Sequence, residues 1–247
     1  RAPHVLTDSR TGAQLGNSQL IDSLVHDGLW DAFNDYHMGV TAENLAREYG
    51  ISRELQDAWA LSSQQKARRA IDSGRFRDEI VPVTTELNGA PRTVDTDEQP
   101  RVDASAEGLA SLLPTFDRLG SVTAGNASSI NDGAAAVMMM SESKAQELGL
   151  PILARIRAFA SVGVDPALMG IAPVHATRRC LERAGWRLDE VDLIEANEAF
   201  AAQAISVGRV LEWDERRVNV NGGAIALGHP IGASGCRILV SLVHEMI

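Results

Sequence analysis

From about residue 131 onward, apolar runs of strand length alternate with helical patterns, and this alternation limits the possible folds more than any other feature. The apolar runs cover 134–140 and 152–159, and the helical patterns cover 142–148 and 173–184. Alternating strands and helices build layered sheets, because each element must bury one face against the next layer. The sequence therefore predicts the α/β class for this part of the chain.

A glycine-rich turn at 219–235 places His229 between an apolar strand and a helix. Glycine lets the backbone approach a ligand closely, and Pro230 stiffens the turn, so the imidazole is held in place. A second predicted strand, 191–196, runs directly into Asn197 and another helix. Both segments put polar side chains at the carboxyl end of a strand, which is typical of ligand sites in α/β sheets.

The first 130 residues have a different organisation, in which helices alternate with long polar connections. The clearest helix spans 52–71, with Ser52 as its N-cap and Gly74 beyond its end. The stretch 84–100 is a polar excursion that contains glycine and proline. No short-period repeat is visible in the sequence.

Charge and hydropathy exclude some partners. The net charge of −10 disfavours a nucleic-acid ligand, which requires a basic face. An anionic ligand must therefore be met by local positive groups rather than by the overall field. The longest apolar run, 134–140, is far shorter than the roughly 20 residues that span a bilayer. The histidines and cysteines show no metal-ligand spacing, so we expect no membrane partner and no metal.

Several blocks, in order along the chain, resemble the thiolase family. The segment 197–200 reads Asn-Glu-Ala-Phe and 228–230 reads Gly-His-Pro, two signatures of that family. Further matching blocks are His37-Met-Gly39 followed by Thr41-Ala-Glu-Asn44, and those at 123–128, 131–134 and 162–166. The His-Met-Gly block points to the biosynthetic, acetoacetyl-CoA type.

The resemblance implies a thiolase-like layered αβαβα fold, in which two α/β halves stack and a loop domain is inserted in the first. We expect residues 1–130 to form the loop domain, on the CoA-binding and oligomerisation side. Residues 131–151 would end the first half and 152–247 would form a truncated second half. The fold would therefore be incomplete here.

Thiolases use a nucleophilic cysteine early in the chain and an acid/base cysteine in a C-x-G-G-G segment near the end, and neither block occurs in this sequence. Cys180 lies in a helical pattern and is predicted to pack. Cys236 lies at a helix start, where the dipole would lower a thiol pKa, but the resemblance assigns it no reactivity. We expect an internal fragment of a longer thiolase, inactive and poorly soluble or oligomeric when expressed alone.

The resemblance gives His229 and Asn197 the catalytic roles. The matching histidine activates the nucleophilic cysteine and helps to form an enolate oxyanion hole, while the matching asparagine holds a water that completes the hole. The local sequence leaves structural alternatives open. His229 could cap its own turn, and Asn197 could be the N-cap of a helix beginning at Ala199.

Further residues are expected at the CoA and acyl pocket. Ser128 resembles a serine that binds a pantetheine amide, and Arg101 falls where the family can contact the nucleotide; a turn-forming serine and a solvated arginine are the alternatives. The remaining candidates correspond to residues that wall the pocket, although each could equally be a core residue: Leu29, His37, Met38, Phe116, Met169 and Phe200.

The expected activity is the Claisen condensation of two acetyl-CoA molecules to acetoacetyl-CoA and CoA, and the reverse thiolysis. CoA thioesters act as substrates and no bound cofactor is expected. A homodimer or homotetramer in the cytoplasm is predicted. The alternatives are a degradative 3-ketoacyl-CoA thiolase, or a non-catalytic CoA-binding or scaffold protein because both cysteine blocks are absent. Reading the gene on both sides of this segment for those blocks would decide between enzyme and scaffold.

Overall fold

The computed structural model describes residues 2–6, 12, 15–87 and 89–247. Within these residues the long elements are helices, and the strands form three short antiparallel pairs. The strands are β1 (His4–Leu6), β2 (Leu20–Asp22), β3 (Trp30–Asp31), β4 (Tyr36–His37), β5 (Val83–Leu87) and β6 (Ala90–Val94), and they pair β1 with β2, β3 with β4, and β5 with β6.

The helices follow the boundaries that the sequence predicts to within a few residues. The helix predicted at 52–71 occupies Arg53–Asp72, and the Ser52 hydroxyl caps it by accepting a hydrogen bond from the amide of Leu55 at 3.3 Å. The eight α-helices of the described residues are α1 (Met38–Glu48), α2 (Arg53–Asp72), α3 (Ala106–Ala110), α4 (Glu142–Glu147), α5 (Ala172–Ala184), α6 (Ala201–Leu211), α7 (Ala224–Leu227) and α8 (Ile231–Met246).

The core lies where α2 packs on α6 and α7. Alanines dominate these contacts, with Ala60 of α2, Ala201 and Ala202 of α6, and Ala226 of α7 all fully buried. Small side chains let the helix backbones approach closely, so α2 covers the segment that leads into His229. A second cluster joins α1, α5 and α6 through Leu45, Ile171, Val174 and Val207.

Two expected strands do not pair within the described residues. The runs 134–140 and 152–159 contain neither helix nor ladder, and their side chains include Met138 at 83% and Phe159 at 80% exposure. A strand exists only through hydrogen bonds to a neighbour, and these runs have no neighbouring strand in the described residues. Isolated parallel bridges join Ile194 to Val218 and Ile130 to His229.

The polar excursion at 84–100 contains a strand pair that the sequence pattern did not reveal. β5 and β6 form a hairpin there, with Val83 opposite Val94 and Gly89 in its turn at φ +80°. Five consecutive residues of each strand are paired, although the hairpin side chains are mostly exposed. Alternation of apolar and polar residues marks a strand only when one face is buried, so this exposed hairpin carries no such signal.

Candidate active site

The turn that carries His229 is held in place by close packing of backbone. Helix α7 is fully buried against α2, and Gly222 before it has φ +86° with its Cα facing the backbone of α2. A Cβ on Gly222 would lie 2.8 Å from the amide nitrogen of Ala67, so a larger residue cannot fit. Gly222 therefore fixes the path of the backbone that leads to His229.

Glu198 ties this turn to α2. Its side chain, in a residue only 1% exposed, accepts hydrogen bonds from Trp59 Nε1, Ser63 Oγ, Asn219 Nδ2 and the amide of Ile225, at 2.7–3.2 Å. Buried carboxylates are stable only when their oxygens are saturated in this way. The residue next to Asn197 is therefore an anchor for the turn.

The backbone of His229 is bound by the segment around residue 130. Its amide donates to Oδ1 of Asn131 at 3.1 Å and to the carbonyl oxygen of Ser129 at 3.2 Å. Ser129 Oγ also donates to Asn131 Oδ1 at 2.7 Å, and Asn131 Nδ2 donates to Gln99 at 3.2 Å. Asn131 thus links Gln99 to the histidine turn.

The imidazole of His229 has a partner on each ring nitrogen. Its Nδ1 lies 2.6 Å from Oγ of Ser234, and its Nε2 lies 3.4 Å from Nδ2 of Asn197. Ser234 Oγ donates its own proton to the carbonyl oxygen of Pro230 at 3.0 Å, so it accepts from Nδ1. The hydrogen bonds therefore assign the proton to Nδ1 and leave a lone pair on Nε2, towards which the Asn197 amide donates.

The electrostatic surroundings also favour the neutral ring. The pKa of His229 lies below its usual value, first because the ring is partly buried and second because the Arg237 cation is near. A neutral imidazole that carries a lone pair on Nε2 is a base that can accept a proton near neutral pH. The arrangement can therefore deprotonate a thiol that lies within hydrogen-bonding distance of Nε2.

Asn197 is positioned by a second pair of backbone hydrogen bonds. Asn219 accepts from the amide of Ala196 and donates to the carbonyl of Ala196, both at 2.8 Å. The expected alternative for Asn197, an N-cap of a helix at Ala199, is wrong, because α6 begins at Ala201 and no side chain caps it. Oδ1 of Asn197 is buried and has no hydrogen-bond partner among the described residues.

Three of the expected wall residues form one aromatic cluster. The ring of His37 stacks on Phe116 at 4.7 Å, and Phe116 meets Phe200 edge to face at 6.0 Å. Gly39 makes the approach feasible, because a Cβ there would lie 2.3 Å from the Phe116 ring. Next to this cluster Ser128 donates its hydroxyl to the carbonyl oxygen of Ala199 at 2.9 Å, so its oxygen keeps only acceptor capacity for a ligand.

Four other candidates lie on separate elements. Leu29 ends a π-helical turn at Leu24–Leu29, and Met38 is the first residue of α1, directly after His37. Met169 lies on the 3₁₀-helix Pro166–Ile171 and is 44% exposed. Arg101 is exposed, and its backbone amide donates to Gln64 of α2 at 2.9 Å. The roles of these four residues stay predictions.

A cavity of about 510 Å³ lies beside the histidine. Its wall combines the segment 130–135 with the turn 229–233, and includes Leu24 and Cys236. Of the candidate residues, His229 is the one that lines this cavity among the described parts of the chain. Cys236 is half-buried there, and Cys180 is half-buried on α5. The cavity is large enough to admit a thioester group beside His229.

Sequence reasoning gave three site residues no role. Ser234 fixes the imidazole tautomer, Asn131 binds the His229 amide, and Glu198 anchors the turn. Asn131 and Glu198 lie inside the matched blocks 131–134 and 197–200, and Ser234 lies in the glycine-rich turn 219–235, so a residue-by-residue comparison of these segments was the available signal. Some of their hydrogen bonds join distant segments, up to 139 residues apart in the bond from Trp59 to Glu198, and no spacing rule detects such contacts.

Family comparisons agree with this geometry. Residues 1–143 match the N-terminal domain of thiolase, and residues 150–247 match its C-terminal domain. The chain belongs to the thiolase family. The two matched regions place Asn131 in the N-terminal domain and His229 in the C-terminal domain, so the hydrogen bond between them joins the two domains of this thiolase chain.

Individual relatives are similar along the whole chain. A probable acetyl-CoA acetyltransferase of Escherichia coli is 87% identical over 247 residues, and an acetyl-CoA acetyltransferase of Pseudomonas aeruginosa is 66% identical. All of this chain is covered in both cases, but only 63% of each relative. The chain thus spans less than two thirds of the length of these relatives.

Solved structures show the same fold. The acetyl-CoA acetyltransferase of Bacillus anthracis superposes with a TM-score of 0.95 at 48% identity, over 99% of this chain and 62% of the other. The human mitochondrial 3-ketoacyl-CoA thiolase superposes with a TM-score of 0.92 at 43% identity, over the same shares. The thiolase αβαβα fold is therefore confirmed, and it is incomplete in the chain as given.

Metal-binding and membrane-spanning features are absent from the described residues. These residues contain no group of three or more histidine, cysteine or acidic side chains that could hold a metal ion. None of their helices is both long and apolar enough to cross a bilayer.

Proposed function

We propose that this chain carries the histidine and asparagine side of a thiolase active site, in an enzyme that condenses two acetyl-CoA molecules and catalyses the reverse thiolysis. The observation that carries the proposal is the neutral His229, whose Nε2 lone pair faces the Asn197 amide at 3.4 Å. Relatives named acetyl-CoA acetyltransferase at 66% identity and above support the same substrate class.

In the first step Nε2 of His229 accepts the proton of a cysteine thiol, which the family supplies from outside this segment. The thiolate attacks the thioester carbonyl of acetyl-CoA and the acetyl–CoA bond breaks, so the acetyl group is transferred to the cysteine sulfur. The departing CoA thiolate takes its proton from the acid/base cysteine, which the family also supplies from outside this segment. The resulting imidazolium has an N–H at Nε2. The same nitrogen that acted as base is then a hydrogen-bond donor.

In the second step the deprotonated acid/base cysteine removes an α-proton from the second acetyl-CoA, and the enolate attacks the acetyl-cysteine carbonyl. The acetyl–sulfur bond breaks, and the expelled cysteine thiolate recovers its proton from the His229 imidazolium. Negative charge develops on the thioester oxygen of the enolate, and donors aimed at that oxygen lower the barrier. His229 Nε2–H is one such donor. The second is a water held by Asn197, whose Oδ1 is a buried acceptor with no hydrogen-bond partner among the described residues.

The thioester substrates are proposed to pass between the aromatic cluster and the histidine turn. Phe116 and Phe200, in edge-to-face contact at 6.0 Å, would limit the acyl chain, and Ser128 would accept from a pantetheine amide. Leu29, Met38 and Met169 would complete the wall, with Arg101 near the nucleotide. CoA enters as substrate and no resident cofactor is proposed. A cytoplasmic homodimer or homotetramer remains the proposed assembly.

A degradative 3-ketoacyl-CoA thiolase is the second candidate. The likeness to the human mitochondrial 3-ketoacyl-CoA thiolase, at a TM-score of 0.92, favours it. Thiolysis assays of the full-length protein with acetoacetyl-CoA and 3-ketohexadecanoyl-CoA separate the two candidates. The acetyltransferase proposal requires a much higher kcat/KM for the four-carbon substrate, and failure to cleave either substrate would contradict both.

Replacing Asn197 by aspartate in the full-length protein should lower kcat for thiolysis by about 10²-fold, the usual cost of one oxyanion-hole donor. A carboxylate beside His229 Nε2 repels the enolate charge and favours the imidazolium before the thiol is deprotonated. Steady-state cleavage of acetoacetyl-CoA measures the effect. The exposed Asn17→Asp is the matched control, and wild-type kinetics for Asn197→Asp would remove Asn197 from the mechanism.

Replacing Met38 by alanine should relax the preference for short acyl chains, because a shortened side chain opens the end of the pocket next to His37 and Phe116. One to two methylenes of extra room correspond to about a tenfold change in relative kcat/KM for a six-carbon against a four-carbon 3-ketoacyl-CoA. Met138→Ala, at an 83% exposed position, is the control. An unchanged chain-length profile would place Met38 outside the pocket.

A further inference from the structure

A buried ion pair between α8 and the segment before Asn197 has no part in the proposed chemistry. Nη1 of Arg237 on α8 lies 3.8 Å from Oε2 of Glu195, and the side chains are only 20% and 5% exposed. Nη2 of Arg237 and Oε2 of Glu195 have no hydrogen-bond partner within the described residues. Buried charges of this kind are costly, so the pair requires a functional or structural reason.

On α8, the residue that pairs with Glu195 lies close in sequence to the residue that binds the His229 ring. On α8, Ser234, Arg237 and Ser241 follow the spacing i, i+3, i+7 and therefore share one face of the helix. Ser234 holds Nδ1 of His229, and Arg237 donates to Ser241 at 3.3 Å. The guanidinium thus lies one helical turn from the hydroxyl that orients the imidazole.

The segment that carries Glu195 also carries Asn197, the other residue that contacts His229. Glu195 and Asn197 are two residues apart beside the Ile194–Val218 bridge, and alternate side chains of an extended segment point to the same side. Asn197 contacts His229, and Glu195 contacts Arg237. One short segment therefore places an amide against the imidazole and a carboxylate against the guanidinium.

We propose that Arg237 is a positioning residue that keeps His229 in its neutral, proton-accepting form, and that Glu195 fixes the guanidinium in place for this purpose. The inference rests on the thiolase function proposed above, because only a histidine that acts as a base needs this protection. A cation in a low-dielectric interior acts on a nearby imidazole without touching it.

The charges around the pair allow the guanidinium to act in this way. Burial raises the pKa of Glu195 to about 7, so its carboxylate only partly neutralises Arg237 near neutral pH. Burial also raises the pKa of Glu79 and of Asp97 above their usual values. Other ionisable groups of the described residues also face this region or the histidine cavity: Lys66, Asp132, Glu198, Cys236, His244 and Glu245.

The pH profile of kcat/KM in the full-length protein tests the proposal. Arg237→Met removes the cation, so His229 takes up its proton at higher pH and the acidic limb should move to higher pH. Arg237→Lys keeps the charge and should leave the limb at the wild-type position. A limb that does not move in the methionine variant, or that moves equally in the lysine variant, overturns the proposal.

Two additions keep the result interpretable. If Arg237→Met does not fold because Glu195 is left unpaired, the double variant Glu195→Gln/Arg237→Met removes both charges and should move the acidic limb in the same direction, by a smaller amount. An NMR titration of the His229 ring, assigned with His229→Gln, reads the imidazole directly. A wild-type protein without thiolysis contradicts the proposed function, whereas coincident His229 titrations in the wild type and the Arg237→Met variant contradict the role of Arg237.

Discussion

Replacing His229 by alanine in the full-length protein is expected to lower kcat for acetoacetyl-CoA thiolysis by more than about 10³-fold. Losing one oxyanion-hole donor alone costs about 10²- to 10³-fold, and this substitution also removes the base that deprotonates the nucleophile. Steady-state kinetics with acetoacetyl-CoA and CoA measure the loss. The side chain makes hydrogen bonds only at its ring nitrogens, to Ser234 and Asn197, so the fold should survive.

His175→Ala is the matched control, because His175 is exposed on α5 and belongs to no part of the proposed site. Its activity should equal that of the wild type. A loss of less than about tenfold in His229→Ala would contradict the assignment of base and oxyanion donor to one residue.

Replacing Glu198 by alanine is expected to cause the largest loss of stability. Four buried donors, from Trp59, Ser63, Asn219 and Ile225, lose their acceptor together. Each unsatisfied buried donor costs about 1–3 kcal/mol, so the free energy of unfolding should fall by on the order of 4 kcal/mol. Urea denaturation of the full-length protein, followed by tryptophan fluorescence, measures this change.

Two comparisons sharpen the Glu198 experiment. Glu198→Gln keeps the shape of the side chain and one acceptor oxygen, but its amide NH₂ faces donors that the second carboxylate oxygen had bound. The free energy of unfolding should therefore fall by less than in Glu198→Ala. Glu142→Ala, on the exposed surface of α4, should change stability by less than about 0.5 kcal/mol. A Glu198→Ala protein as stable as the wild type would show that the hydrogen bonds around Glu198 do not hold the histidine turn.

The amino-acid sequence by itself determined the local elements with clear signals. Ser52 and Gly74 bracket α2 because a capping hydroxyl and a left-handed glycine act on their immediate neighbours. The glycine-rich turn predicted that His229 is held in place for the same reason, since glycine affects the conformation of its own backbone. The matching blocks identified the thiolase family, because their residues and their order along the chain can be read directly from the sequence.

Tertiary structure alone decided which of these residues act together. The proton on Nδ1 of His229 depends on Ser234, the His229 amide depends on Asn131, and the turn depends on Glu198 reaching back to α2. The unpaired runs 134–140 and 152–159 show the same dependence, because a strand needs a neighbour as well as a pattern. Hydrogen bonds and burial between distant segments are properties of the packed chain, and local sequence carries no signal for them.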